Sequence, residues 1–168
     1  LPHTKNVGDH SYHVSMNLNT EVSFNGENYL SNKPDMVKVI RAVSILHDNG
    51  KRKNPHNPKH PYESAQEVEK YLKWMNFNSK EIELCLRLIN HHDILGMVIC
   101  GHKNISDVIK ICHGSPAILQ CLWAFTIADV SSIKGLMQDF PNVIKNITEV
   151  AKSADHEISR KSGKAIFY

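Results

Sequence analysis

Along several helical stripes of this chain, histidine and aspartate stand where apolar side chains would be expected. His10 lies four residues before Val14 and eight before Leu18, and so shares their face. His47 closes the face formed by Met36, Ile40 and Val43, with Asp48 beside it. His92 follows Cys85 and Ile89 at helical steps, and Asp129 follows Ile118, Leu122 and Phe125. A buried carboxylate without a partner is costly, so Asp129 in so apolar a segment needs a counter-charge. A divalent cation supplies one. Imidazole with carboxylate suits manganese, iron, nickel, cobalt or zinc, and carboxylates leave magnesium open. Each residue alone has a plainer reading: a hydrogen-bonded core histidine, or an aspartate that caps a helix or pairs with a lysine. It is their convergence that points to metal chemistry.

The elements that must position these residues are helices. Val7 to about Val22 carries the first stripe. Pro34-Asp35 opens a second helix that Asn49-Gly50 ends, since proline suits a first turn and glycine a terminus. Lys51 to Pro61 is a loop, followed by helices at about Tyr62–Met75 and, behind the Asn78-Ser79 cap, Lys80–His92. Ile94–Gly101 is left unassigned, and a short helix covers Ile105–Cys112. Ala117 to about Ile133 is apolar almost all round, the mark of a central helix. A last amphipathic helix spans Val143 to about Ser159, with a frayed tail from Arg160 to Tyr168. No stretch alternates as a strand does. The expectation is an all-α, single-domain helical bundle over residues 1–168, with a motif-bearing core at about 7–135 and an additional C-terminal helix at about 141–160.

The string Ile45-Leu46-His47-Asp48-Asn49-Gly50-Lys51 puts adjacent His and Asp at the end of an apolar helix, before a glycine and a cation. With it the chain resembles the HD superfamily of metal-dependent phosphohydrolases, whose order is His, then His-Asp, then a distant Asp. The first His falls in Asp9-His10-Ser11-Tyr12-His13-Val14, similar to the family's His-Ser-x-x-Val, and the last Asp in Ala128-Asp129. The resemblance runs from about Val7 to Ile133. One departure is Asn49, where the family usually has an apolar residue. The segment after Gly135 has no clear counterpart.

The resemblance implies an HD-type bundle and a metal held by His10, His47, Asp48 and Asp129. Some members carry two further histidines and bind two ions. His60, before Pro61-Tyr62-Glu63-Ser64-Ala65, and His92, with His91 as its alternate, are similar to these. In that case Asp48 would bridge the ions, and a hydroxide between them would attack phosphorus. Asp48, Lys51 and His60 are the residues expected to serve the catalytic step. Lys51 is the best placed of the loop cations Lys51, Arg52, Lys53 and Lys59 to attract phosphate. The implied function is hydrolysis of a phosphate ester or anhydride, of a nucleotide. Asn6-Val7-x-Asp9-His10-Ser11 resembles members acting on nucleoside monophosphates, whereas the extra histidines resemble members cleaving dinucleotides or cyclic nucleotides. Two alternatives stay open: a di-iron oxygenase of the same superfamily, and a regulatory module that kept the metal site without turnover.

Bulk properties narrow the rest. A net charge of +3 is too mild to imply a nucleic-acid partner, and no basic helix, stacking motif or zinc-finger spacing is present. No apolar run approaches the roughly 20 residues that span a bilayer. Of the eleven histidines, His3, His56, His102, His113 and His156 lie in polar or loop-like stretches and read as surface residues. Cys85, Cys100, Cys112 and Cys121 form no C-x-x-C pair and read as buried reduced thiols of a cytoplasmic protein. Leu1 stands where an initiator methionine would, which fits a processed or excised piece of a longer protein. Oligomeric state is open.

Overall fold

The computed structural model describes residues 6–51, 54, 56–133 and 139–166, with side chains as far as 163. His3, the loop cations Arg52 and Lys53, the stretch around Gly135 and the final Phe167-Tyr168 lie outside the described residues. Within them the chain is all-α, and the sole β feature is an isolated bridge between Phe24 and Glu27.

Helix α1 (Val7–Asn17) is capped by Asn6, whose side chain accepts the Asp9 N–H at 2.8 Å. It stops well short of Val22. The chain then reverses through Asn25 and Gly26, both at positive φ (53° and 87°), a turn a helix cannot contain. Helix α2 (Pro34–Leu46) leads into a 3-10 turn at Asn49–Lys51. Helix α3 (His60–Trp74) begins two residues before Tyr62, because Pro61 occupies its first turn, where its missing N–H is not needed. Helix α4 (Ser79–Asn90) opens with a capping box between Asn78 and Glu81. The stretch Ile94–Ile99, left unassigned from sequence, is a short helix, α5. Helix α6 (Ile105–Ile111) has a second capping box, Asn104 with Asp107. Helix α7 (Pro116–Ser131) begins behind the Ser115 cap. Helix α8 (Phe140–Ile166) is longer than its apolar stripe suggested and runs through Gly163, so the expected frayed tail is helical to Ile166.

Helix α7 is the centre, as its all-round hydrophobicity predicts. Leu119, Cys121, Leu122 and Phe125 are fully buried on it, and it packs against α1, α2 and α8. Helix α8 lays Ile147, Ala151, Ala154 and Ile158 against α5, α6 and α7. Helices α3 and α4 pack together, and α4 joins α2. The turn after α2 sits unusually close to the start of α3: a Cβ on Gly50 would lie 2.7 Å from the His60 carbonyl oxygen and 2.9 Å from the Ser64 nitrogen. Only glycine permits that approach. Among the described residues no single helix is long and apolar enough to cross a membrane.

The thiols differ from expectation at one position. Cys85, Cys112 and Cys121 are buried, and burial pushes each thiol up to about 12. Cys100 is exposed, because it follows the last residue of the short α5. A thiol reagent at mildly alkaline pH should therefore label Cys100 rapidly in the native protein and the other three only after denaturation. Peptide mapping of the labelled sites checks this, and rapid native labelling of Cys85 would contradict it.

Candidate metal centre

Five elements deliver six side chains to one buried point. His10 comes from the first turns of α1, His47 and Asp48 from the end of α2, and His60 from the first residue of α3. His92 comes from the turn after α4, and Asp129 from the last turn of α7. His10, His47, Asp48 and His92 are buried, at 4% exposure or less. The Asp129 and His60 side chains keep 24% and 15%, and with Lys51 (12%) they form the part solvent reaches.

The ligand atoms fall into two triads, His10–His47–Asp129 and Asp48–His60–His92. Within each, the nitrogen and oxygen atoms lie within 4.8 Å of one another. In the first, Asp129 Oδ1 lies 2.8 Å from His10 Nε2 and 3.5 Å from His47 Nε2. In the second, Asp48 Oδ1 lies 3.3 Å from His60 Nε2 and 3.9 Å from His92 Nε2. Asp48 also faces the first triad through its other oxygen: Oδ2 is 3.6 Å from His47 Nε2 and 3.8 Å from His10 Nε2. The Lys51 ammonium stands 2.8 Å from the same Oδ2.

The backbone sets the tautomers. His47, His60 and His92 each direct Nδ1 at the carbonyl three residues earlier, of Ser44, Asn57 and Ile89, at 3.2, 3.0 and 2.7 Å. A carbonyl only accepts, so Nδ1 carries the proton and Nε2 presents its lone pair inward. Phe125 fixes two of the rings, edge to face with His47 and His92 at 4.9 and 5.8 Å between centroids.

This arrangement fits a cation. His47 Nε2 and Asp48 Oδ1 are buried without a hydrogen-bond partner, one in each triad. His60 Nε2 and His92 Nε2 stand 3.3 Å apart, two lone pairs facing each other once both Nδ1 atoms are protonated. The charge states of Asp48, Asp129 and His92 agree. Burial opposes the Asp48 charge, but the His60 imidazole 3.3 Å away and the positive charges of His47 and Lys51 outweigh it and hold the carboxyl far below its ordinary value. Burial likewise opposes the Asp129 charge, and the hydrogen bond with His10 and the His47 ring nearby reverse that. Burial, then the charge on His47, pushes His92 down. Burial also works against a charge on His47, yet the Asp129 carboxylate beside it keeps it above its usual value, so this ring would release a proton on binding metal. Ionised carboxylates and a neutral His92 are the forms that bind metal. The mixed nitrogen and oxygen donors suit a transition ion better than calcium.

The six residues singled out as ligands are thus brought together, and Lys51 stands beside them. His91 caps α4 and belongs to neither triad; His92 is the one turned inward. The sequence reading missed Ser64, whose Oγ accepts the Gly50 N–H at 2.7 Å beneath the site. A small residue one helical turn after His60 was the available signal.

Against known proteins, the HD domain family matches residues 1–113. That span contains His10, His47, Asp48, His60 and His92 but ends before α7, so Asp129 lies outside the match and rests on its sequence pattern and the geometry. No curated protein matches the chain. Asp129→Ala should leave the far-UV helical signal intact and lower the bound manganese, because the first triad loses its carboxylate. Metal analysis of the dialysed variant measures this, and undiminished manganese would contradict the assignment.

Proposed function

The chain belongs to the HD domain family, and from that premise we propose that it is a metal-dependent phosphohydrolase acting on a phosphate ester or anhydride of a nucleotide. The observation that carries the reading is Asp48: one carboxylate oxygen faces His60 and His92, the other His10 and His47. A carboxylate so placed suits a pair of divalent ions, with His10, His47 and Asp129 holding one and His60 and His92 the other. Bound ions would supply a water of lowered pKa and neutralise charge developing on the phosphoryl oxygens.

The protein's own groups have complementary tasks. Lys51 puts a fixed positive charge at the partly exposed side of the site, where a phosphate dianion would arrive. The Nδ1 hydrogen bonds hold His47, His60 and His92 in one tautomer and orientation, so no ring has to reorganise during turnover. The nucleotide is favoured by the two stretches already described, Asn6 to Ser11 and the added histidines. Both resemble members that take nucleotides of one kind or another.

The second histidine pair also favours one other reading, a di-iron oxygenase, because such members use the same expanded set. Iron bound as purified, oxygen consumption and no phosphate release would select it. For the hydrolase, the test is a manganese-supplemented panel of nucleoside monophosphates, dinucleotides and cyclic nucleotides, assayed for phosphate release or bond cleavage. Asp48→Asn should lower kcat/KM by more than the roughly 10–100-fold typical of losing an outer partner of a metal ligand. Lys51→Ala should act chiefly by raising KM. Unchanged turnover in Asp48→Asn would sink the proposal.

A further inference from the structure

One face of α3 follows the turn after α2 nearly residue by residue. His60, Ser64 and Glu67 are spaced four and three apart, so they share a stripe. His60 Nε2 lies 3.3 Å from Asp48 Oδ1. Ser64 Oγ accepts the Gly50 N–H at 2.7 Å. Glu67 Oε2 accepts the Asn49 side-chain N–H at 2.7 Å. The turn is closed on itself by the Lys51 N–H donating to the Asp48 carbonyl at 2.9 Å. Asn49 is where the family resemblance leads one to expect an apolar residue, and here its amide is used on α3.

We propose that Ser64 and Glu67 are positioning residues that lock the Asp48–Lys51 turn onto α3, so that Asp48 and His60 form one half of a two-ion centre. The inference rests on the two-ion reading above. Ser64 is fully buried, as is the Gly50 N–H it accepts, so losing the hydroxyl leaves a donor with no water to turn to. The turn is free to relax only away from α3, because the His60 carbonyl and Ser64 backbone already crowd Gly50 from that side. Such a shift separates Asp48 from His60. It leaves the other triad its own three donors, since His10, His47 and Asp129 come from α1, α2 and α7 and none from α3. The two sites should therefore respond unequally, which a general loss of stability would not produce.

The test is a cobalt(II) titration of the metal-free protein, followed by visible absorption and by binding isotherms, on wild type, Ser64→Ala, Glu67→Ala and Glu67→Gln. Wild type should take up two ions. In Ser64→Ala one of them should bind about 10–100-fold more weakly, the range for outer partners of metal ligands, with its absorption band altered and the other ion, which keeps three donors besides Asp48, weakened much less. Glu67→Ala should weaken the same ion to a smaller degree. Glu67→Gln, which keeps an acceptor oxygen for Asn49, should restore it. Glu67 is exposed, so that pair of variants carries the test even where Ser64→Ala fails to fold. Equal weakening of both ions, no weakening of either, or Glu67→Gln behaving like Glu67→Ala would overturn the positioning role. Fewer than two ions in wild type would instead overturn the two-ion reading, and this inference with it.

Discussion

Asp48 is a carboxylate with almost no access to water, and burying it has to be compensated by charge and hydrogen bonding within the protein. The protein's own groups meet that demand at one oxygen and not at the other. Oδ2 has the Lys51 ammonium at 2.8 Å and faces His10 and His47, while Oδ1 has only imidazole edges near it and no hydrogen bond. Lone pairs converge on it from His60 and His92, which are themselves 3.3 Å apart. Without a positive charge among them, two bare nitrogens and a bare oxygen face one another in a place that solvent barely enters. A cation would turn that repulsion into coordination, and would explain why polar residues persist on stripes that are otherwise apolar.

The architecture is organised around the same residue. Helices α1, α2 and α7 pack against one another and supply one triad. Helix α3 and the end of α4 pack together, close over the turn after α2 and supply the histidines of the other. Asp48 lies where these groups of helices meet. Backbone carbonyls orient the rings, those of Ser44 and Ile89 in the last turns of α2 and α4 and that of Asn57 just before α3. The stretch matching the family ends before α7, yet α7 contributes Asp129 and the Phe125 ring against His47 and His92. The central helix is thus both core and ligand carrier.

Much of this was legible in the residues. His10, His47, His92 and Asp129 could be found because a polar group on a helical apolar stripe breaks a 3.6-residue pattern that is otherwise kept. His60 had no stripe to break. In the sequence it closes a proline-rich stretch just ahead of the helical pattern, and only the family resemblance singled it out. The role of Ser64 was hidden because a buried serine beside an alanine reads as ordinary close packing, and its partner is a backbone N–H with no sequence signature. Helix ends were misjudged where local chemistry competes with periodicity. Leu18 and Val22 seemed to continue α1, but Asn25 and Gly26 reverse the chain. The last helix was expected to end at about Ser159, where its apolar stripe stops, yet α8, anchored by Ile147, Ala151, Ala154 and Ile158, continues to Ile166. Cys100 looked buried by composition because a six-residue helix has too little length for its pattern to declare a face.

The central claim is that Asp48 stands between two metal positions. Crystals of the manganese-loaded protein, measured at the manganese absorption edge, would test it directly. Two anomalous peaks about 3.5–4 Å apart, one on each side of the Asp48 carboxylate, are expected. A single peak among His10, His47, Asp48 and Asp129, with His60 and His92 hydrogen-bonded only to protein or water, would contradict it.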